Sequence, residues 1–550
     1  MFLRLVSYLK KNKILLLASF LFLVIRLPFL DHAFLLRGER DIALTGYFLA
    51  KTGKDLYGNG MPIEFFGLDM PTPFLAFYYS ALWWIIIPIK NVFFARIPYV
   101  IATTVYVFFV YEIVHQITKH KMLSVLTALV FSFSPGIYHL SRLALEVNIA
   151  TPLLFAAILL YLKKYRFYSY LFFILVYFSY SGFRPLVLPL LLFLEFYWYL
   201  QGEKLKKVIT NSIISVVFFF VIVGVGLYFV DGGLTLSRKD DVVFFNTQEL
   251  TERVNYKRNT SIGPNLLDKL FFNKATLSFH YMIKTFVQGQ GFEYLFSKGD
   301  DAAIYASTFT GQFFLILFPL YYLGFVFLAR KWKREFLYVL GFIPIGLVPS
   351  LINIDYISFT IRSILSTIGF AYIIAGGMIF AWSLIKTQKS FIRNGIIVVA
   401  TFIIAIELSY FGYNYIFRRP VTMFEFFFES ERDLADYLNN NKKNYFIYDD
   451  SPRNIVATYY FLQPELDVSK AQNILKKESP YSVNGTVIRK CPATDEKLIL
   501  KPKTIVAESC LDENQYQILG LDPAVDKIEY EDYSFKSAYF IINSSVPKVQ

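Results

Sequence analysis

The residues with the most chemistry to offer stand together just beyond the first apolar run. Leu35-Leu36-Arg37-Gly38-Glu39-Arg40-Asp41 places four charges in five residues. A carboxylate such as Glu39, held at a membrane surface beside apolar walls, is partly desolvated and its basicity is raised, which suits it to take a proton from a hydroxyl. The competing reading is a solvated turn whose acids complement the positive end of the helix expected from Asp41 to Lys51, with Thr52-Gly53 as its stop. Asp69, in Phe66-Gly67-Leu68-Asp69-Met70-Pro71, closes the same loop and is open to the same two readings.

Arginines form the second group. Arg96, Arg142, Arg184 and Arg362 fall at the outer ends of apolar runs. A guanidinium near hydrocarbon is costly unless it is paired or reaches the interface, and its fork matches phosphate oxygens two at a time. Phosphate binding and simple snorkelling both account for such residues. Arg142 is the strongest candidate because Glu146 follows one helical turn later and can orient it. His139 reads as a satisfied interfacial histidine, and Glu112, Glu195 and Glu407 as acids reaching the interface. Asn484-Gly485-Thr486 fits a glycosylation acceptor, a pattern common by chance. The sequence has no phosphate-cradling glycine loop, no HExxH and no defensible Ser/His/Asp set.

These residues are set among elements built for lipid. At 55% hydrophobic and 19% aromatic residues the composition is not that of a soluble domain. Apolar runs at 14–30, 97–116, 122–138, 147–162, 166–181, 184–200, 208–230, 309–329, 335–352, 363–385 and 394–411 predict about eleven transmembrane helices. The first is preceded by Arg4, Lys10, Lys11 and Lys13 and lacks a small-residue cleavage site, so it is expected to be retained. The net charge of +13 does not imply nucleic acid, because the Lys and Arg lie in short breaks between apolar runs.

Charge also decides the topology. The stretch 74–89 is apolar, but Pro71, Pro73 and Pro88 bracket it and Trp83-Trp84 suits the interface. If it does not span, the short inner loops hold fifteen Lys and Arg against three, Arg142, Arg184 and Arg362, in the short outer loops. If it spans, the bias inverts. An interfacial or re-entrant helix is therefore expected, with the N-terminus cytoplasmic and the loops 31–96 and 231–308 and the C-terminal part outside. The expected division is a transmembrane domain over 1–411 and an extracytoplasmic α/β domain over 412–550. In the latter, Met423 to Asn440 reads as an amphipathic helix, and Tyr445–Tyr448, Ile455–Leu462, Thr504–Ala507 and Ala538–Ile542 as strands. The two cysteines, Cys491 and Cys510, suggest no metal site or nucleophile. Outside the membrane they are expected to bridge, with two free thiols as the alternative.

The motifs in order resemble the polytopic glycosyltransferases that use polyprenyl-phosphate sugars, the protein O-mannosyltransferase and aminoarabinose-transferase-like group with the GT-C fold. Gly38-Glu39 occupies the place of that group's acidic pair, and Ala43 to Gly53 is similar to its following helix. Phe66 to Pro73 is similar to its Gly-Asp-x-x-Pro-Pro segment, and Arg96-Ile97-Pro98 to its Arg-Leu-Pro. Ser134-Pro135 and Ser141-Arg142-Leu143-Ala144-Leu145-Glu146-Val147-Asn148 resemble its Ser-Pro…Ser-Arg-x-Ala-x-Glu-x-Asn stretch. Tyr294 to Asp300 and Thr310-Gly311-Gln312 are similar to segments before its eighth span. The resemblance covers roughly residues 10–385. It departs at Gly38, where the first acid of the pair is missing, so that acid's role is lost or moves to Asp41 or Asp69.

The resemblance implies a multi-pass plasma-membrane hexosyl- or pentosyltransferase. It would move a sugar, with inversion, from a polyprenyl-phosphate donor to a hydroxyl of a glycan, lipid or protein acceptor at the extracytoplasmic face. Glu39 would be the general base, helped by Asp41 and Asp69, which can also hold a divalent cation. Arg96, Arg142 and Arg362 would bind the donor phosphate. The alternatives are a lipid-linked sugar translocase or transporter, which needs polar residues in mid-membrane and repeated halves, and an oligosaccharide ligase or polymerase using diphosphate-linked lipids.

Overall fold

A computed structural model describes residues 12–60, 64–66, 71–229, 247–307, 309–353, 358–441, 444–491, 503–510, 527–528 and 539–542. The chain divides into two compact units. One holds residues 1–28 and 99–416, the other 29–98 and 417–550. Residues 29–98 thus group with the C-terminal part.

The first unit is helical. Among the described residues six helices are long and apolar enough to cross a membrane: Val92–Thr118, Ser181–Leu200, Leu205–Gly226, Lys333–Leu351, Ile364–Ile385 and Ser390–Thr422. Shorter apolar helices run over Lys13–Val24, Leu75–Ile86, Lys121–Ser132, Val147–Leu162 and Arg166–Tyr177. Several expected spans are broken rather than continuous. The first ends at Val24, and the third is cut at Ser134-Pro135, where the serine side chain caps a new helix, Pro135–Leu140. The expected span 309–329 is helical only from Phe318 to Lys331 after a 3₁₀ turn.

The Ile364–Ile385 helix is the axis of this unit, 78% buried along its apolar window. It packs on Phe318–Lys331, Lys333–Leu351 and Lys121–Ser132. Small residues allow the closest approach. A Cβ on Gly377 would overlap the carbonyl of Leu320, and one on Gly324 the carbonyl of Ile373. Leu205–Phe229 and Ser390–Tyr413 instead present Ile213, Val217, Phe220, Val398 and Phe402 outward, the surface that lipid covers. After residue 246, Thr247–Asn259 and Lys274–Gln288 close a small core of Leu250, Val254 and Leu277. This segment is helical over much of its described length, not the irregular loop its polarity suggests. Glu112 pairs with Lys163, Glu195 with Arg166, and Glu407 accepts from the Ile316 amide.

The second unit is α/β. Strands β1 (Glu64–Phe66) and β2 (Pro71–Pro73) form a short antiparallel pair. β3 (Phe446–Asp449), β4 (Tyr481–Val483), β5 (Thr486–Lys490), β6 (Thr504–Ala507), β7 (Lys527–Ile528) and β8 (Tyr539–Ile542) form a mixed sheet of order β4-β5-β3-β6-β8-β7, in which β3 runs parallel to both neighbours. The strands expected at 445–448, 504–507 and 538–542 are present. The run Ile455–Leu462 is not a strand but part of a helix, Pro452–Leu462, with Pro452 in its first turn. That helix is buried nearly all round, which erases the periodicity that marks a helix. The amphipathic helix expected from Met423 begins at Glu429.

The Arg37–Thr52 helix stops at Gly53, φ +68°, as its Thr-Gly end predicts. It lies against Leu75–Ile86, where Gly46 meets Ser80 closely enough to exclude a Cβ. Several polar contacts tie 29–98 to the C-terminal part. Arg40 donates to the Asn454 side chain at 2.7 Å, and the Phe34 amide to Glu429 at 2.8 Å. Gln472 donates to the Asp55 carbonyl and Lys90 to that of Tyr460. Cys491 and Cys510 are joined in a disulfide, as expected.

Candidate active site and the outer arginines

Glu39 occupies the first turn of the Arg37–Thr52 helix and is fully buried. Its Oε2 accepts from the Leu36 amide at 2.9 Å, half of a capping box. Both oxygens face Arg96, with Nε–Oε1 at 2.9 Å and Nη2–Oε2 at 2.7 Å. Arg96 also donates from Nη1 to the carbonyls of Leu30 and Ala33 and from Nη2 to that of Phe34. A guanidinium has five N–H donors, and here each has an acceptor.

In this arrangement the Arg96 donors go to Glu39 and three carbonyls, and the Glu39 carboxylate is buried against that guanidinium. Asp41 is also buried and accepts from Arg40 at 3.4 Å. Asp69 lies outside the described residues.

Arg142 lies in the other unit and has a similar task. Its Nη1 donates to the carbonyls of Arg26 and Pro28 at 2.8 and 2.9 Å and to the Tyr138 hydroxyl, and its plane lies beside the rings of Tyr138 and Tyr415. Arg26, fully buried, donates to the carbonyls of Phe22 and Ser132 and stacks over the Phe22 ring at 3.3 Å. The chain from Ile25 to Leu36 is neither helix nor strand, so its carbonyls need partners from elsewhere. Arginines supply many of them. Glu146 stands half-buried immediately before the Val147–Leu162 helix. His139 is satisfied, facing Tyr415 through Nδ1 and the Ile304 carbonyl through Nε2, each at 3.0 Å.

Arg362 is different. It ends the short helix Phe359–Arg362, and its Nη1 is buried without a hydrogen-bond partner. In the same unit the Gln312 Nε2 is buried in the same condition, and the buried Tyr294 hydroxyl bonds to Thr360 and Thr367. Thr360 links them, lying beside Tyr294 and 3.5 Å from the Gln312 Oε1. Asp300 closes the cluster by accepting from the Thr360 amide at 2.7 Å and the Ser358 hydroxyl at 2.9 Å. Burial pushes its carboxyl up from the usual range, against these hydrogen bonds. Gly136 leaves room for Gln312, since a Cβ there would overlap its amide. An uncompensated buried donor costs on the order of 1–3 kcal/mol, so the Arg362 Nη1 and the Gln312 Nε2 are each suited to an acceptor oxygen.

No family model and no curated protein matches the chain. Several solved structures are similar to it, among them the following three. ArnT from Cupriavidus metallidurans, bound to undecaprenyl phosphate, is 11% identical with a TM-score of 0.49, over 98% of this chain and all of that one. The Archaeoglobus fulgidus oligosaccharyltransferase AglB, in complex with an inhibitory peptide and a dolichol-phosphate, is 10% identical with a TM-score of 0.46, over 82% of this chain. Its apo form is 12% identical with a TM-score of 0.44. The chain spans 64% of the length of the oligosaccharyltransferase.

Sequence reasoning quoted Tyr294 to Asp300 and Thr310 to Gln312 as motifs but assigned them no part in a site. The stretch from Tyr294 to Gln312 is rich in polar residues, Asp300, Asp301, Ser307 and Thr310 among them, so nothing in it singled out Tyr294, Asp300 and Gln312. For a metal, the one His/Cys/Asp/Glu group of suitable spacing among the described residues is Asp450 with Cys491 and Cys510, whose sulfurs are committed to the disulfide.

Proposed function

We propose that this chain is an integral membrane sugar transferase that uses a polyprenyl-phosphate sugar at the extracytoplasmic face. The observation that carries the reading is the buried Nη1 of Arg362, which has no hydrogen-bond partner, with the Gln312 Nε2 of the same unit in the same condition. A cation and a neutral donor without acceptors suit a phosphate monoanion. The ordered motifs over residues 10–385 supply the sugar-lipid part.

In the reaction the acceptor oxygen attacks the anomeric carbon in line, and the bond from that carbon to the lipid phosphate breaks with inversion. The acceptor proton passes to a carboxylate of the first outer loop, and Arg362 stabilises the leaving phosphate. With Glu39 held by Arg96, the proton acceptor falls to Asp41 or Asp69. A second reading, a lipid-phosphate-sugar binder without transfer, is favoured by Gly38 and by the burial of Glu39.

Native mass spectrometry with undecaprenyl phosphate tests the donor site. Arg362→Ala is expected to lose the bound lipid while remaining folded, and equal binding by both proteins would overturn the reading. Transfer assays on Asp41→Asn and Asp69→Asn separate the two versions. Loss of transfer with lipid binding intact in either variant supports the enzyme, and no transfer by the wild type with any donor supports the binder.

A further inference from the structure

A cavity of 320 Å³ opens in the α/β unit, where the ends of Glu429–Asn440 and Pro452–Leu462 meet the β4–β5 hairpin. The hairpin turns on Asn484-Gly485, both with positive φ, the two-residue turn that Asn-Gly favours. The Asn484 side chain is held in place, donating to the Tyr459 hydroxyl at 2.8 Å and accepting from Lys470 at 3.0 Å. Thr486, the third residue of the glycosylation pattern, is buried and accepts from the Tyr445 amide. The motif thus contributes to the cavity wall through Asn484, which is itself exposed, and Thr486.

The lining is specific in its chemistry. Asn439, Gln463 and Asn484 bring three carboxamides, Tyr459 a phenol, and Val483 and Ile488 an apolar patch. Among the described residues none that lines the cavity bears a charge. Two helix C-termini reach the cavity through Asn439 and Gln463, and such ends carry partial negative charge and carbonyls in need of donors. Those carbonyls favour O–H groups. Carboxamides give and accept hydrogen bonds as vicinal hydroxyls do, while the apolar patch accepts the C–H face of a pyranose ring.

We propose that this cavity is a binding site for a neutral carbohydrate, a mono- or disaccharide unit, formed entirely within the α/β unit. The site stands independently of the transfer reaction, and its test involves no lipid donor.

The experiment is saturation-transfer NMR on the full chain in a detergent without a sugar headgroup. The probes are methyl α-D-mannopyranoside, maltose and N,N′-diacetylchitobiose. At least one is expected to receive saturation from the protein. Gln463→Ala and Asn439→Ala each remove an amide that bonds no other described residue, and each is expected to weaken binding about three- to tenfold, the worth of one neutral hydrogen bond. Signal from none of the three sugars overturns the assignment. So does a sugar whose affinity is unchanged in both variants.

Discussion

The Glu39–Arg96 pair makes the sharpest prediction, because a structural and a catalytic role for Glu39 part ways there. Glu39→Gln keeps the shape but removes the charge, and it puts an amide N–H₂ opposite guanidinium donors. Arg96 keeps its three carbonyl partners at Leu30, Ala33 and Phe34, so the loss falls at the lower end of the range for breaking a buried pair, about 3 kcal/mol. In a folded unit of about 200 residues this lowers the unfolding temperature by roughly 6–12 °C. Thermal unfolding in detergent, followed by intrinsic fluorescence, reads the change. Arg96→Leu is expected to destabilise at least as much, and Glu39→Leu with Arg96→Leu less than the sum of the two, since no lone charge remains buried. A Glu39→Gln protein that unfolds at the wild-type temperature but transfers no sugar would refute this reasoning and return Glu39 to the role of base.

Other expectations follow from the same geometry. Burial, opposed by Arg432, lifts the Glu429 carboxyl to about 7. The folded chain then holds a proton that the unfolded chain releases near 4.5, so this contribution is complete below that pH and lost as the pH climbs through about 7. Its size is up to about 3 kcal/mol. The unfolding temperature should fall between pH 5 and pH 8, and Glu429→Gln should flatten the slope. Neither cysteine should react with maleimide in the native, unreduced protein, and Cys491→Ser with Cys510→Ser should cost about 3 kcal/mol, read by denaturant unfolding. For the topology, Lys204→Cys should be labelled only in permeabilised cells and Asn441→Cys in intact ones, and the reverse pattern would sink the assignment.

Much of the helical architecture can be read from sequence because hydrocarbon imposes it. Val147–Leu162 and Arg184–Leu200 coincide with the expected spans to the residue. The errors come from contacts remote in the chain. Residues 39 and 96 are 57 apart, and nothing local distinguishes a carboxylate waiting for an acceptor from one already chelated. The α/β unit misled where burial is uniform: Ile455 to Leu462 has the β-branched and aromatic content of a strand, and only Ser451-Pro452 ahead of it signals a helix start. Asn484-Gly485 was legible as a hairpin turn, yet the glycosylation pattern overlying it drew the attention.

The arginine-held exit from the first helix also sets an order of assembly. Residues 25–36 leave the ribosome long before Arg96 and Arg142, whose side chains take up their carbonyls. Until both have been made and inserted, that segment must remain hydrated or rest on other partners. A nascent chain halted before residue 96 would carry a cleavable neck after its first helix, and one extended past residue 142 would not. Biogenesis of the outer face therefore runs backward along the chain, its earliest segment among the last to settle.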